Sequence, residues 1–155
     1  MKDIYEIHYN SPLGVIKITG SKDKILSLDF VEDKDYINED APNIHQEAYQ
    51  QLDEYFKGIR KNFDLDLFFN GTEFQNKVWN ELCNIPYGET ATYKDMAIRI
   101  GNEKACRAVG NANNKNNIGI IIPCHRVIGS NGKLVGYAGE LWRKEWLLEH
   151  EKRHR

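Results

Sequence analysis

Apolar and polar residues alternate along Tyr5 to Tyr9, Val15 to Thr19 and Ile25 to Val31. That period of two marks strands with one buried face. Ser11-Pro12-Leu13-Gly14 and Ser21-Lys22-Asp23 are turn-forming runs between them, so the three strands are expected to be antiparallel. The period then lengthens. Ala48, Leu52, Tyr55 and Phe56 share one helical face, which predicts a helix capped by Asn43, running to about Phe56 and ended by Gly58. Asp64 to Phe69 predicts a further short strand. Asn70-Gly71 marks a turn, and Thr72 with Phe74, Val78, Trp79 and Leu82 opens an amphipathic helix that stops before Pro86.

That turn sets an expected boundary between an N-terminal domain, 1–70, and a C-terminal domain, 71–155. Beyond the Pro86-Tyr87-Gly88 loop, Thr92 is placed to cap a short helix to Ile100. Gly101 breaks it, and Asn102 is placed to cap a second helix through about Asn113. Helix, glycine turn and helix together make a helix-turn-helix pattern, which many proteins that never touch DNA also contain. In the second helix Ala105, Ala108 and Gly110 are small and surround one long cation, Arg107. That composition suits close approach of the backbone to a partner. A terminal helix is expected from about Leu141 to His150, with Trp142, Trp146 and Leu147 toward the core.

With 155 residues, 41% hydrophobic and 28% charged, the chain has material for one or two small domains. No run approaches the roughly 18 to 20 apolar residues that a spanning helix needs, and Lys2, Asp3 and Glu6 interrupt the start. No membrane association and a cytoplasmic location are expected. Cys83, Cys106 and Cys124 are an odd number without a framework spacing, which suits a reducing compartment and leaves thiols available. The net charge of -2 hides an uneven distribution. Met1 to Thr90 carries 9 Lys and Arg against 17 Asp and Glu, a balance of -8. Ala91 to Arg155 carries 12 against 6, a balance of +6. A basic C-terminal part is what a localised phosphate-binding face would produce.

Chemistry concentrates at Pro123-Cys124-His125-Arg126. A thiol becomes a strong nucleophile as thiolate, and an adjacent base or cation promotes that ionisation. His125 and Arg126 are next door, although successive side chains of a strand point to opposite faces. His125 therefore reaches Cys124 only if the backbone turns there or a water bridges them. A histidine base needs a third group to fix its tautomer, and Glu145, Glu149 and Glu151 all qualify by spacing. Zinc binding is disfavoured because no Cys-x-x-Cys pair exists, and no metal is expected. A cysteine protease would not call for the alanine-lined helix pair.

Pro123-Cys124-His125-Arg126-Val127 is similar to the active-site signature of the O6-alkylguanine-DNA alkyltransferases, also called methylated-DNA–protein-cysteine methyltransferases, of bacterial type. Phe74-Gln75 with Val78-Trp79, Ile85 to Thr90, Thr92-Tyr93, Arg107-Ala108-Val109-Gly110 and Lys144 to Leu148 match in order and spacing. Ser11 to Gly14 and Gln51 to Gly58 resemble the N-terminal domain of the same family. The expected fold class is α+β: an N-terminal α/β domain with a small antiparallel sheet, and a mostly helical C-terminal domain holding the helix-turn-helix and the Pro-Cys-His-Arg segment.

The resemblance implies an irreversible, single-turnover transfer of an alkyl group from guanine O6 to Cys124, without a cofactor. Its substrate is double-stranded DNA containing O6-alkylguanine, handled by a monomer with no obligate protein partner. By the same resemblance His125 is a water-bridged base, Glu151 orients it, Asn116 ties the active-site turn to the helix pair, and Tyr93 helps guanine leave. Arg107 enters the base stack in place of the flipped nucleotide, with Ala105 and Ala108 allowing close approach to a minor groove. Lys94, Asn102 and Ser130 are candidates for phosphate or sugar contacts. Main-chain groups at Cys124, Val127 and Ala138 are expected to read the guanine edge.

Two departures touch loops around the site. Asn116-Asn117-Ile118-Gly119 lacks the prolines common after that asparagine, and Glu140 stands where the family usually has a second glycine after Gly139. A damage sensor that binds O6-alkylguanine without reacting is the rival reading, but such proteins lack the cysteine present here. A transcriptional regulator using the helix pair has no second effector domain to support it.

Overall fold

The computed structural model describes residues 4–134 and 140–155. They form two compact units, one ending at Phe68 and one starting at Phe69.

The first unit is built on strands β1 (Tyr5–Ser11), β2 (Gly14–Gly20) and β3 (Ile25–Val31), antiparallel in the order β1-β2-β3. The alternation fixes register: Ile7 pairs with Ile18, Tyr9 with Ile16, and Ile18 with Leu28. A one-residue slip would turn this buried set to the other face. Helix α1 (Asn43–Phe56) packs on β1 and β2 through Ala48, Leu52, Tyr55 and Phe56. Its cap position is Pro42 rather than Asn43, which is already helical and caps nothing through its side chain. The strand expected at Asp64 to Phe69 reduces to a single parallel bridge between Leu67 and Ile25. The reason is a tertiary contact. The Gln51 amide takes both main-chain groups of Asp64, donating to its carbonyl at 3.0 Å and accepting from its N–H at 2.8 Å.

The second unit contains α2 (Glu73–Leu82), β4 (Ala91–Thr92), α3 (Tyr93–Arg99), α4 (Cys106–Asn114), a 3-10 turn at Cys124–Arg126, β5 (Val127–Ile128) and α5 (Leu141–Arg153). Thr72 and Thr92 each close a capping box, with Gln75 and Asp95 returning the bond. Trp79 crosses from α2 to donate its indole N–H to the Ala112 carbonyl of α4 at 2.8 Å. The short strands β4 and β5 pair in parallel, Ala91 opposite Val127. Among the described residues, no helix is long and apolar enough to cross a membrane.

Asn102 does not cap α4. Its side chain accepts from the Lys104 N–H and its carbonyl from the Ala105 N–H, so it starts a turn and the helix begins at Cys106. The buried face of α5 also differs from expectation. Lys144, Leu147, His150 and Glu151 are buried, whereas Trp142 is 49% exposed and donates its indole N–H to the Glu140 carboxylate at 2.8 Å. Glu151 lies on this face because the face meets the Cys124–Arg126 turn, where its carboxylate finds His125 and Arg126.

Glu140, just before α5, adopts φ +81°. A side chain there costs on the order of 1–3 kcal/mol, whereas glycine accepts the conformation freely. Glu140→Gly is therefore expected to raise the free energy of unfolding by about 1 kcal/mol after its greater unfolded-state entropy is subtracted. Chemical denaturation of the two proteins would measure it, and a destabilised variant would refute the strain.

Candidate active site

Residues 116–124 coil back on themselves before the reactive cysteine. The Ile122 N–H reaches the Ile118 carbonyl at 2.9 Å, and the Ile121 N–H reaches the Gly119 carbonyl at 2.8 Å. The residue between Gly119 and Ile121, Ile120, is β-branched yet sits at φ +70°, an uncommon and strained conformation. Pro123, at φ -80° and ψ 62°, makes an inverse γ-turn closed by the Cys124 N–H on the Ile122 carbonyl at 2.7 Å. Asn116 pins this coil from the side, donating to the Ile122 carbonyl at 2.9 Å and accepting from the Ile118 N–H at 2.9 Å. Four buried isoleucines, Ile118, Ile120, Ile121 and Ile122, wedge the coil into the core.

The backbone thus turns at the cysteine, as a working Cys-His pair requires. Cys124 is 5% exposed and His125 fully buried. The imidazole Nε2 lies 2.7 Å from the Glu151 carboxylate, while Nδ1 has no hydrogen-bond partner among the described residues. Glu151 also takes the Arg126 guanidinium as a fork, at 2.8 Å and 3.0 Å, and accepts from the Gly88 N–H at 3.2 Å. Arg126 completes its donors on the Ile85 carbonyl at 2.7 Å. Hence Arg126 serves the carboxylate, not the thiol beside which it lies in sequence.

Burial and the ion pairs set the protonation states. Burial alone would raise Glu151, but His125 and Arg126 hold its carboxyl far below the usual range. Burial lowers His125 despite the Glu151 charge, so the imidazole is neutral. With Nε2 donating to Glu151, Nδ1 carries the lone pair. Burial pushes the Cys124 thiol up, opposed by a hydrogen bond from Asn116 and by the Lys144 charge. The resting cysteine is a thiol that needs a base. Burial likewise raises Tyr93, reinforced by Cys124, so its hydroxyl stays protonated.

Tyr93 opens α3, half-buried, with its ring over Gly110 of α4, 3.8 Å from where a Cβ would lie. Asn113 of α4, 2% exposed, donates to the Cys124 carbonyl at 3.3 Å and bonds to Tyr93. The sequence reading missed this residue. Its only signal was an asparagine at an inward helical position, one after Ala112. The N–H groups of Cys124 and Val127 are both spent, the latter on the Cys124 carbonyl. Any guanine edge read here must therefore donate to carbonyl oxygens. Arg107 and Ala108 are exposed on α4, Ala105 is half-exposed at its start, and Lys94, Asn102 and Ser130 are exposed nearby in sequence. Among the described residues, none of these side chains is hydrogen-bonded to Cys124, His125, Arg126 or Glu151. Ala138 lies outside the described residues, as do Gly136, Tyr137 and Gly139.

Two family models match the chain. Residues 4–69 match the 6-O-methylguanine DNA methyltransferase ribonuclease-like domain, and residues 73–153 match the DNA binding domain of the same proteins. The chain belongs to the 6-O-methylguanine DNA methyltransferase family. A methylated-DNA–protein-cysteine methyltransferase of Methanosarcina barkeri is 52% identical over 147 residues, covering 92% of this chain and 93% of that protein. The constitutive enzyme of Bacillus subtilis is 45% identical, covering 92% of each. The Mycobacterium tuberculosis O6-methylguanine methyltransferase crystal structure superposes with a TM-score of 0.87 at 41% identity, covering 98% of this chain and 94% of that one. A complex of the mycobacterial protein with DNA gives 0.86 at 43%, covering 97% and 93%. The α+β class, with its small antiparallel sheet and helical DNA-binding part, is thus that of the methyltransferase family.

Glu151→Gln removes the charge that balances buried Arg126 and is expected to cost about 3 kcal/mol at neutral pH. The folded-state pKa of Glu151 and that of His125 are both depressed. Their contributions are present at neutral pH and fade as pH falls, through His125 below about 6.5 and through Glu151 below about 4.3. The Glu151 charge raises His125, so Glu151→Gln depresses the imidazole further, and thermal melts from pH 7 to pH 4 should show the variant losing stability more steeply than wild type. Parallel curves would refute the role of the pair.

Proposed function

We propose that this chain repairs alkylated DNA by transferring the alkyl group from guanine O6 to Cys124, once per molecule. The observation that carries the reading is the thiol on a turn beside a neutral imidazole whose Nε2 is committed to Glu151 and whose Nδ1 is left to accept a proton. His125 takes the Cys124 proton through a bridging water, and the thiolate attacks the alkyl carbon. A carbon–sulfur bond forms as the carbon–O6 bond breaks. The electron pair passes to guanine, which leaves as the base gains a proton or hydrogen bond at N3 from the Tyr93 hydroxyl. Asn116 and Asn113 keep the turn and its carbonyl in place, and the Val127 carbonyl accepts from the guanine edge.

A stacked, paired guanine hides its O6 substituent from any thiol, so the nucleotide must leave the duplex. Arg107, exposed on α4 between Cys106 and Ala108, is the side chain that fills the gap, with Ala105 and Ala108 leaving room for a minor groove. Lys94, Asn102 and Ser130 supply phosphate or sugar contacts. Free Cys83, Cys106 and Cys124 suit a reducing cytoplasm.

Incubation with an O6-methylguanine oligonucleotide is expected to add one methyl group to the peptide containing Cys124, read by mass spectrometry. Binding without modification would favour a damage sensor. Arg107→Ala should slow repair of duplex DNA at least about tenfold, a rise of about 1.4 kcal/mol in the barrier, while leaving reaction with free O6-benzylguanine near the wild-type rate. Equal losses on both substrates would remove Arg107 from the flipping step.

A further inference from the structure

Arg155, exposed just beyond α5, has no part in the reaction as described, yet its guanidinium is committed to one backbone atom. Its Nε and Nη2 both donate to the Gly88 carbonyl, at 3.1 Å and 2.5 Å. The N–H of the same glycine donates to the Glu151 carboxylate at 3.2 Å. Glu151 lies in the last turn of α5 and Arg155 four residues on, so this end of the chain grips both main-chain groups of Gly88, one with an anion and the other with a cation.

Gly88 needs such a grip. It is the third residue of a turn closed by the Glu89 N–H on the Pro86 carbonyl at 3.1 Å, and it sits at φ +79°. Glycine takes that conformation without strain but leaves it as readily, having no side chain to anchor it. Arg155 also fills the space that a side chain would occupy: a Cβ on Gly88 would lie 2.9 Å from Arg155 Cγ and 3.0 Å from its Nε. The His125 and Arg126 bonds to Glu151 come from the cysteine turn, whereas the Gly88 N–H reaches the same carboxylate from a different loop. That donor fixes the carboxylate independently of the turn.

We infer that Arg155 is a positioning residue for the transfer: by clamping Gly88 it holds in place the N–H that Glu151 accepts, and with it the carboxylate that orients His125. The inference rests on His125 being the base of the proposed reaction. When the clamp opens, Gly88 turns away and Glu151 loses a donor. More of its charge then falls on His125, and the imidazole takes a proton more readily. A protonated imidazole has no lone pair for the Cys124 proton. The titratable and charged groups around His125 and its partners are Cys83 after α2, Tyr87 on the Pro86–Gly88 loop, Cys124 and Arg126 on the turn, and Lys144 and Glu151 on α5. Of these, Glu151 is the one bonded to Gly88.

The test is NMR of the full-length wild type, Arg155→Ala and Arg155→Lys. Arg155→Ala should speed hydrogen exchange of the Gly88 amide at least about tenfold while leaving the core amides of Val78 and Val109 at their wild-type rates. At the lowest pH at which both proteins remain folded, its His125 imidazole, followed through the ring nitrogens, should be at least about three times as protonated as that of the wild type. Arg155→Lys keeps a charged donor for the single Gly88 carbonyl and should lie near the wild type in both measurements. An unchanged Gly88 exchange rate, equal acceleration at Val78 and Val109, an unchanged His125, or a lysine variant that behaves as the alanine one would each overturn the inference. Neither readout involves alkyl transfer, so a wild type that meets both expectations yet gains no methyl group would sink the methyltransferase reading alone.

Discussion

The carboxylate of Glu151 is fully buried and surrounded by donors from two separate places in the chain: the Gly88 N–H of one loop, and the His125 imidazole and Arg126 guanidinium of the cysteine turn. Removing a carboxylate from water costs several kcal/mol, and only a complete set of hydrogen bonds offsets that. The Pro86–Gly88 loop, the cysteine turn and the terminal helix must therefore arrive together. The same geometry leaves His125 neutral with one nitrogen free to accept, so the requirement of folding and the requirement of chemistry are met by one group.

The cysteine faces an opposite demand. Burial strengthens every dipole around the sulfur, but it also raises the thiol above its ordinary range. That rise is opposed by the Asn116 hydrogen bond and the Lys144 charge. The site also holds the sulfur on a backbone path, with Ile120 at positive φ and Pro123 in a γ-turn, that local propensity would not choose. Four buried isoleucines and the two Asn116 bonds over-determine that path.

What was legible in the sequence divides along the same line. The three strands, the Thr72 and Thr92 caps and the stop at Gly58 depend on neighbours within a few residues, and each lies where the pattern put it. Asn102 and Asn43 carried the right residue type for caps, but turn hydrogen bonds and the preceding Pro42 moved the helix starts. The Asp64 strand failed because Gln51, thirteen residues away, occupied its backbone. The α5 face was read only in part, Leu147 rightly and Trp142 not, because an apolar pattern assumes that charge points to water. Glu151 points inward to partners on the turn, and no periodicity encodes a partner twenty or more residues away.

The same reasoning bears on the missing prolines. Proline at 117 and 119 would restrict the coil by fixing φ, a constraint written in the chain itself. Here Asn117 and Gly119 leave those torsions open, and the restriction comes from contacts: the Asn116 amide across the coil, the Ile122 N–H on Ile118, and the isoleucine packing beneath. A proline limits the unfolded chain as well as the folded one, whereas these contacts exist only after folding. Order at Cys124 is consequently cooperative with the core of the second unit, and the geometry of the nucleophile depends on side chains that never touch a substrate.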